Sequence, residues 1–330
     1  MDLQRKLFDI IKSRTSEQYR MSIELEEVLG VSQDAVYRRM RGDTELSLTE
    51  VSKLCKHYNL SVDKILNEEA ESVNTQNSSF IYMPVNMTCQ SSYINYIERL
   101  SKTLSALTSI KDKELFFTAQ DIPFYHFLNQ TDLLFFKLYV WADVINKEKV
   151  LYKEFCSKLD KKAILSIYED MYRAYMRIPS KEIWTEQTID TILRLLMYYA
   201  EMNAFEDKQI IHELLNQLSD IINSISRFAR NGFKGQDTPF SMYICSVDLE
   251  NNFMLTRRGD KWTCMIKLYT VNSIATDNVL LCRETEQWIN DLIGKSTMIS
   301  GGSSQKNHFL FFQKCKDKIE ELRINIKALR

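Results

Sequence analysis

Two short amphipathic helices separated by a glycine constrain the fold of this chain more than any other feature. Apolar residues recur at helical spacing over residues 21–29 and again from Ser32 to about Arg41. Gly30 lies where the chain must reverse with a positive φ angle, and Gly42 ends the second helix. The inner side of the turn carries small or apolar residues, namely Leu25, Leu29, Val31, Ala35, Val36 and Met40. The sequence therefore predicts a helix-turn-helix unit.

Three further helices are predicted around this pair. Residues 2–13 place apolar side chains on one helical face. Ser47 is a helix N-cap, and Glu50 three positions later completes a capping box. Ser61 begins a short fifth helix. Residues 1–67 are therefore predicted to be a complete five-helix domain.

The remainder of the chain is predicted to be mainly α-helical, because it has few glycines and prolines. A polar linker is placed at residues 68–85, and a larger C-terminal domain at 86–330. Residues 113–129 are expected to be an irregular connection. Three β-branched and aromatic runs near residues 240–270 predict a small antiparallel β-sheet. Helices are predicted at residues 89–110, 131–147, 160–177, 185–203, 206–230, 282–293 and 304–329.

Charge gives the chain no general attraction to nucleic acid. The formal net charge is −1, and residues 1–67 contain 11 Lys and Arg against 11 Asp and Glu. Any contact with DNA must therefore come from a local patch. Arg38, Arg39 and Arg41 lie within four positions and form such a patch.

The second helix of the pair can present polar side chains to base edges. If Val36 and Met40 face the core, helical spacing turns the polar residues of this helix outward. Gln33 can bond an adenine edge through two hydrogen bonds, and Arg38 can do the same with guanine. Asp34 can accept from a cytosine amino group or orient Arg38.

Other residues of the same helix suit the sugar-phosphate backbone. Tyr37 can contact a thymine methyl group or reach a phosphate, and Arg39 and Arg41 near the helix end can bind phosphates. The backbone amides of Ser32 and of the following residue lie at the helix N-terminus, where the helix dipole favours an anion.

Two runs, Leu29–Gly42 and Leu46–Leu66, together resemble the λ-repressor-like, or XRE-type, bacterial transcriptional regulators. The resemblance covers roughly residues 2–67. It implies double-stranded DNA binding by the third helix, usually as a dimer on a palindrome. It also implies that Gln33 occupies the family's common base-contacting position and that Arg41 occupies a position that often contacts phosphate.

One part of the family pattern is missing. The family commonly begins its second helix with Gln-Glu-Glu-Leu-Ala, whereas this chain has Ile-Glu-Leu-Glu-Glu at residues 23–27. The glutamine that contacts phosphate in the family is therefore absent, and Arg20 can stand in for it.

No catalytic, cofactor or metal motif is predicted. The four histidines lack metal-ligand spacing, and His126, among aromatic residues, is expected to be a buried structural side chain. Gly294 to Thr297 resembles the end of a phosphate-binding loop, but Ile289 stands where that loop needs glycine. The aromatic residues between 116 and 141 form either a helical core or an effector pocket. Seven cysteines without Cys-x-x-Cys spacing, and no apolar run of roughly 18 residues, predict a cytoplasmic protein with no membrane contact.

The sequence thus predicts a non-enzymatic, sequence-specific DNA-binding transcriptional regulator. The C-terminal domain would provide homodimerisation, or sensing of a small-molecule or protein effector, or both. Two alternatives stay open at this point. The N-terminal domain could bind a partner protein as an adaptor, or the C-terminal domain could be an enzyme with a DNA-binding head.

Overall fold

The computed structural model describes residues 3–14, 18–58, 60, 62, 80–86, 90–145, 150–249, 251–269, 271–302 and 304–329. The chain forms two compact units, Met1–Ser79 and Phe80–Arg330. We call them unit 1 and unit 2 and describe each by itself.

Unit 1 is a small helical unit. Its described helices are α1 (Leu3–Arg14), α2 (Gln18–Leu29), α3 (Gln33–Arg41) and α4 (Leu48–His57). The core consists of Leu7, Phe8, Ile11, Met21, Leu25, Leu29, Val36 and Leu54. The described residues thus form four helices and not the predicted five. The residues predicted to form the fifth, from Ser61 onward, lie outside the described residues except for residue 62.

Three local signals read from the sequence of unit 1 are confirmed. Gly30 has a φ of 71° and Gly42 a φ of 86°, both in the left-handed region that glycine adopts without strain. Ser47 and Glu50 form the capping box that begins α4. Each of these signals depends on residues close in sequence, so it can be recognised without knowing the tertiary fold.

The prediction of a mainly helical domain with a small antiparallel sheet is wrong for unit 2. It contains a mixed nine-stranded sheet within the described residues. The strands are β1 (Phe80–Met83), β2 (Lys113–Ala119), β3 (Ser180–Trp184), β4 (Phe233–Lys234), β5 (Thr238–Ile244), β6 (Phe253–Arg258), β7 (Lys261–Lys267), β8 (Ser273–Thr276) and β9 (Thr297–Met298). β1 lies inside the residues that were predicted to be linker.

The sheet order is β1-β8-β7-β6-β2-β3-β5, and the short strands β4 and β9 pair with opposite ends of β5. β2, β3 and β5 are parallel neighbours, while every other pairing is antiparallel. The predicted three-stranded meander at residues 240–270 is therefore wrong. Of the two strand pairs in that predicted meander, only the β6–β7 hairpin is present, because β5 pairs with β3 instead of β6.

The helices connect and cover these strands. They are α5 (Gln90–Thr108), α6 (Thr131–Ile145), α7 (Tyr152–Ser157), α8 (Lys161–Tyr175), α9 (Asp190–Glu201), α10 (Lys208–Asn231), α11 (Val279–Gly294) and α12 (Gln305–Ala328), with a 3-10 turn at Phe124–Phe127. All seven predicted helices are present, although α9 begins five residues later than expected. Helices α6 to α8 connect β2 to β3, and α9 and α10 connect β3 toward β5, as parallel neighbours require.

Both faces of the central strands are buried, which explains the error in the prediction. In β2, Leu115 and Phe117 belong to the larger core formed with α5, α6, α8, α9, α10 and α12. Phe116 points to the opposite face, into a smaller core that α11 covers through Ile289 and Leu292. A strand buried on both faces has no alternation of apolar and polar residues, so residues 113–129 did not show a strand pattern. The dense aromatic residues there contribute to these cores.

A carboxylate lies inside the larger core. The Glu182 side chain is fully buried and accepts hydrogen bonds from the Tyr175 hydroxyl at 2.8 Å and from Trp184 Nε1 at 2.9 Å. His126 Nε2 lies 3.0 Å from both carboxylate oxygens. Burial opposes ionisation, but His126, the charge of Lys234 and the Tyr175 hydrogen bond together hold the pKa of Glu182 below its ordinary value. The predicted buried structural role of His126 fits this position.

A fully buried lysine completes the network around that carboxylate. Lys234 Nζ donates to Ser180 Oγ at 2.8 Å and lies 3.1 Å from the centre of the Tyr175 ring. Burial lowers the pKa of Lys234 well below its usual range, and the charge of Glu182 opposes that shift. These side chains join β3, β4 and α8 through polar contacts inside an otherwise apolar core.

Candidate nucleic-acid interface

The turn that leads into α3 is fixed by backbone contacts. The Gly30 N–H donates to the Glu26 carbonyl at 2.9 Å, which closes the last turn of α2. Ser32 has an extended backbone, and its carbonyl accepts the first bond of α3 from the Val36 N–H at 3.0 Å. Ser32 thus occupies the predicted N-cap position, although its side chain makes no capping hydrogen bond.

The far end of α3 is held from two sides. The Gly42 N–H donates to the carbonyls of Arg38 and Arg39, and the Asp43 N–H donates to Arg38. From α1, Gln4 Nε2 donates to the carbonyls of Arg39 at 2.7 Å and Thr44 at 2.8 Å. Gln4 Oε1 also accepts from the Leu46 N–H at 2.8 Å. One side chain therefore fixes both the helix end and the loop after it.

Two arginines of α3 are exposed and paired with carboxylates. Arg38 Nη2 lies 2.9 Å from Asp34 Oδ2, with the two side chains 60% and 70% exposed. Arg41 Nε donates to Asp43 Oδ2 at 2.8 Å, with both side chains more than half exposed. Pairs this exposed contribute little to stability. Their guanidinium groups can therefore exchange a carboxylate for a base edge or phosphate at small cost.

Gln33 and Tyr37 lie on the same helix and are both half-buried. Gln33 Nε2 is 3.3 Å from Ser22 Oγ, and Ser22 is fully buried in α2. This contact positions the Gln33 amide at the start of α3.

Arg39 occupies a different environment from its neighbours. Its Nη2 lies 2.9 Å from Glu50 Oε1, its Nε donates to the same oxygen, and its Nη1 donates to the Ala35 carbonyl. The Arg39 and Glu50 side chains are only 16% and 14% exposed. The pair joins α3 to the N-terminus of α4. Arg20 lies within α2, and its side chain is outside the described part of the structure.

Glu50 combines this ion pair with the capping box. Burial opposes its ionisation, but hydrogen bonds from the Ser47 N–H, from Arg39 and from the Ser47 hydroxyl, together with the charge of Arg39, hold the pKa of Glu50 below its ordinary value. Its stabilising effect is therefore complete above about pH 4.5 and is lost as the pH falls through the lowered pKa of the folded state.

Replacing Glu50 by alanine is expected to destabilise the α3–α4 region by about 1 kcal/mol, because both the cap and the ion pair are lost. In the full-length protein, amide hydrogen exchange of peptides spanning residues 33–57 should become roughly fivefold faster at neutral pH. Glu45→Ala serves as the control, since Glu45 is exposed. Unchanged exchange in Glu50→Ala would contradict the positioning role of this pair.

The positioning role of some of these residues cannot be recognised from the sequence. Gln4 acts on residues 35 and 40 positions away, and no local pattern announces such a contact. The capping signal did identify Glu50, but not that Arg39 shares its carboxylate. The structure thus brings Gln33, Asp34, Tyr37, Arg38 and Arg41 together on one helix and places Arg39 between two helices.

Elsewhere, the other sequence patterns correspond to ordinary structural features. Gly294 ends α11, and the Ser296 hydroxyl donates to the Leu292 carbonyl, as at a helix C-terminus. Within the described ranges, no group of three His, Cys, Asp or Glu residues is arranged to hold a metal ion. Burial raises the pKa of Cys282 to about 11 and that of Cys315 to about 12, so both are protonated thiols at neutral pH. No described helix is long and apolar enough to cross a membrane.

Comparison with known proteins supports the resemblance. Residues 16–65 match the family model described as Helix-turn-helix. The match contains α2, the turn at Gly30, α3 and α4. No curated protein and no solved structure matches the chain. Residues 16–65 are therefore a λ-repressor-like, XRE-type helix-turn-helix segment, a kind of segment typical of DNA-binding regulators.

Proposed function

We propose that this protein is a sequence-specific transcriptional regulator that reads DNA with α3. In this family of motifs the second helix of the pair enters the major groove and the first crosses the backbone. The observation that carries the proposal is the outward polar face of α3, on a helix whose C-terminal end is fixed by Gly42, Gln4 and the Arg39–Glu50 pair. A fixed helix can present side chains to base edges in a constant register.

The proposed contacts follow from the position of each side chain on α3 and from its length. Gln33 bonds an adenine edge and Arg38 a guanine edge, with Asp34 orienting Arg38 in the free protein. Tyr37 and Arg41 bind nearer the sugar-phosphate backbone, and Arg20 adds a phosphate contact from α2. Arg39 acts mainly as a positioning residue, because Glu50 and the Ala35 carbonyl occupy its guanidinium group.

For unit 2 we propose homodimerisation, with effector binding as a further role. Two α3 helices spaced by a dimer at about 34 Å can enter successive major grooves. The proposal assigns no catalytic step to either unit.

Selection from random double-stranded DNA tests the proposal. The full-length protein is expected to enrich one motif, and Gln33→Ala to change the preference at a single base position within it. Gln313→Ala on α12 provides the control, because its side chain bonds an exposed neighbour, Asp317, in unit 2. If wild-type protein enriches no sequence, the regulator proposal fails and the adaptor alternative gains support.

A further inference from the structure

Strand β1 forms one edge of the sheet. It pairs antiparallel with β8, from Phe80 opposite Thr276 to Met83 opposite Ser273, and no other described strand adjoins it. In an antiparallel ladder, alternate N–H and C=O groups point away from the partner strand. β1 therefore presents backbone groups to which a further strand can bind.

The side chains of this edge are large, apolar and exposed. Phe80, Ile81 and Tyr82 are 54%, 61% and 46% exposed, and Tyr269 beside them is 60% exposed. The Tyr82 and Tyr269 hydroxyls are 2.9 Å apart, so the two aromatic side chains are held against each other. Exposed strand edges in soluble proteins are usually protected by charged residues or proline. Proline appears here only after the strand, at Pro84.

The sequences of β1, of β8 and of the residues beside them in the chain contain few charges. Residues 72–97 contain no Asp, Glu, Lys or Arg, and neither do residues 268–276, although 26% of the chain is charged. A second copy of the chain would place like residues near one another, so any charge here would repel its own counterpart. An uncharged edge can pair with itself without that repulsion.

We propose that β1 pairs antiparallel with β1 of a second copy of this chain, which joins the two sheets into one across a two-fold axis. An antiparallel edge strand is self-complementary, as the interface of a two-fold dimer must be. The inference names the dimer surface of the proposed regulator and rests on that proposal only for its consequence on DNA.

The strand geometry restricts the register. A two-fold axis perpendicular to the sheet keeps each face on the same side in both copies, and residues paired across a ladder point to the same face. The axis must therefore pass midway between a residue of β1 and the same residue of the second copy, and Ile81 and Tyr82 are the two positions that pair three residues of each strand. With the axis at Ile81, Phe80 lies opposite Tyr82 of the second copy, which forms a favourable aromatic cross-strand pair.

This dimer would also place the points where the two N-terminal units join unit 2 close to one axis. With the axis at Ile81, the two copies of Phe80 would lie about 8 Å apart, given strand spacings of about 4.8 Å and rises of about 3.4 Å per residue. Unit 1 ends at Ser79, directly before β1. The chain between residue 65 and Phe80 would thus join each helix-turn-helix segment to a point near the dimer axis, and a two-fold axis also relates the half-sites of a palindrome.

Mass measurement in solution tests the pairing first. Wild-type protein is expected to sediment as a dimer at micromolar concentration, and Ile81→Lys as a monomer with an unchanged circular dichroism spectrum. Val144→Lys is the matched control, because Val144 is equally apolar and 68% exposed but lies on α6. A monomeric wild type, or an Ile81→Lys variant that remains a dimer, overturns the inference.

Cross-linking tests the register independently of stability. Cα atoms of directly opposed residues lie about 4.5–5.5 Å apart, within disulfide range. Either Ile81→Cys or Tyr82→Cys should form a covalent dimer under mild oxidation much faster than Val144→Cys. If neither does, β1 is not the dimer contact. A protein that still selects one DNA motif in that case retains the proposed function, so the two failures are distinguishable.

Discussion

Replacing Glu182 by leucine is expected to lower the free energy of unfolding of unit 2 by about 3–5 kcal/mol, as for other buried ion networks that lose one partner. The carboxylate is fully buried and accepts from Tyr175 and Trp184. Its removal leaves these donors unsatisfied in a dry core, at roughly 1–3 kcal/mol each. It also removes the negative charge that offsets the burial of Lys234.

Urea unfolding of the full-length protein measures this effect. All four tryptophans, at positions 141, 184, 262 and 288, belong to unit 2, so their fluorescence reports its unfolding. Glu154→Leu is the control, since Glu154 forms only an exposed ion pair with Lys158 and should change stability by less than about 1 kcal/mol. A loss below about 1 kcal/mol in Glu182→Leu would contradict the structural role of the carboxylate.

A double variant separates the charge effect from the hydrogen bonds. Glu182→Leu combined with Lys234→Met removes both buried ionisable groups, so it should be more stable than Glu182→Leu alone. If Lys234→Met instead lowers the stability of unit 2 further, an uncompensated charge on Lys234 does not contribute to the loss in Glu182→Leu. The lost hydrogen bonds alone then explain that loss.

Arg38→Ala is expected to weaken binding to the selected DNA motif by about 1–3 kcal/mol, or roughly 5- to 150-fold. The Arg38 side chain is 60% exposed and forms an ion pair with the exposed Asp34, so its loss does not disturb the core. Because the proposed partner is a guanine edge, the loss should be confined to the preferred sequence. Repeating the selection should show a relaxed preference at one position.

Arg41→Ala should behave differently, because its proposed partner is phosphate. We expect weaker binding to all sequences alike and a salt slope smaller by about one unit. Arg173→Ala is the matched control for both variants, since Arg173 is an exposed arginine paired with Asp170 in unit 2. Equal losses on matched and mismatched DNA for Arg38→Ala would remove it from base recognition.

The helix-turn-helix segment could be predicted from sequence because its signals are local. Gly30, Gly42 and the Ser47–Glu50 box each determine a backbone conformation within four residues. The exposed face of α3 follows from Val36, which is its one fully buried residue. The interactions that fix α3 in place were not predictable in this way, because Gln4 and Glu50 contact it from other helices.

The sheet of unit 2 could not be predicted for the opposite reason. The apolar run Leu115–Phe117 is buried on both faces, so it lacks the alternation that identifies a strand. β3 is only five residues long and contains the buried Glu182, which resembles a surface residue in sequence. The parallel pairing of β3 with β5 also joins residues about 60 positions apart, a relation that no short pattern contains.

Helix α3 packs on the core of unit 1 through Val36, which has a consequence for how the sequence of its outward face can change in evolution. Substitutions at the exposed Arg38 or Arg41 alter the outward side chains of α3 without changing the packing that keeps unit 1 folded. New binding specificities are therefore accessible by single changes at nearly constant stability. Under the proposed function, related chains could acquire different DNA targets while the core beneath α3 stays the same.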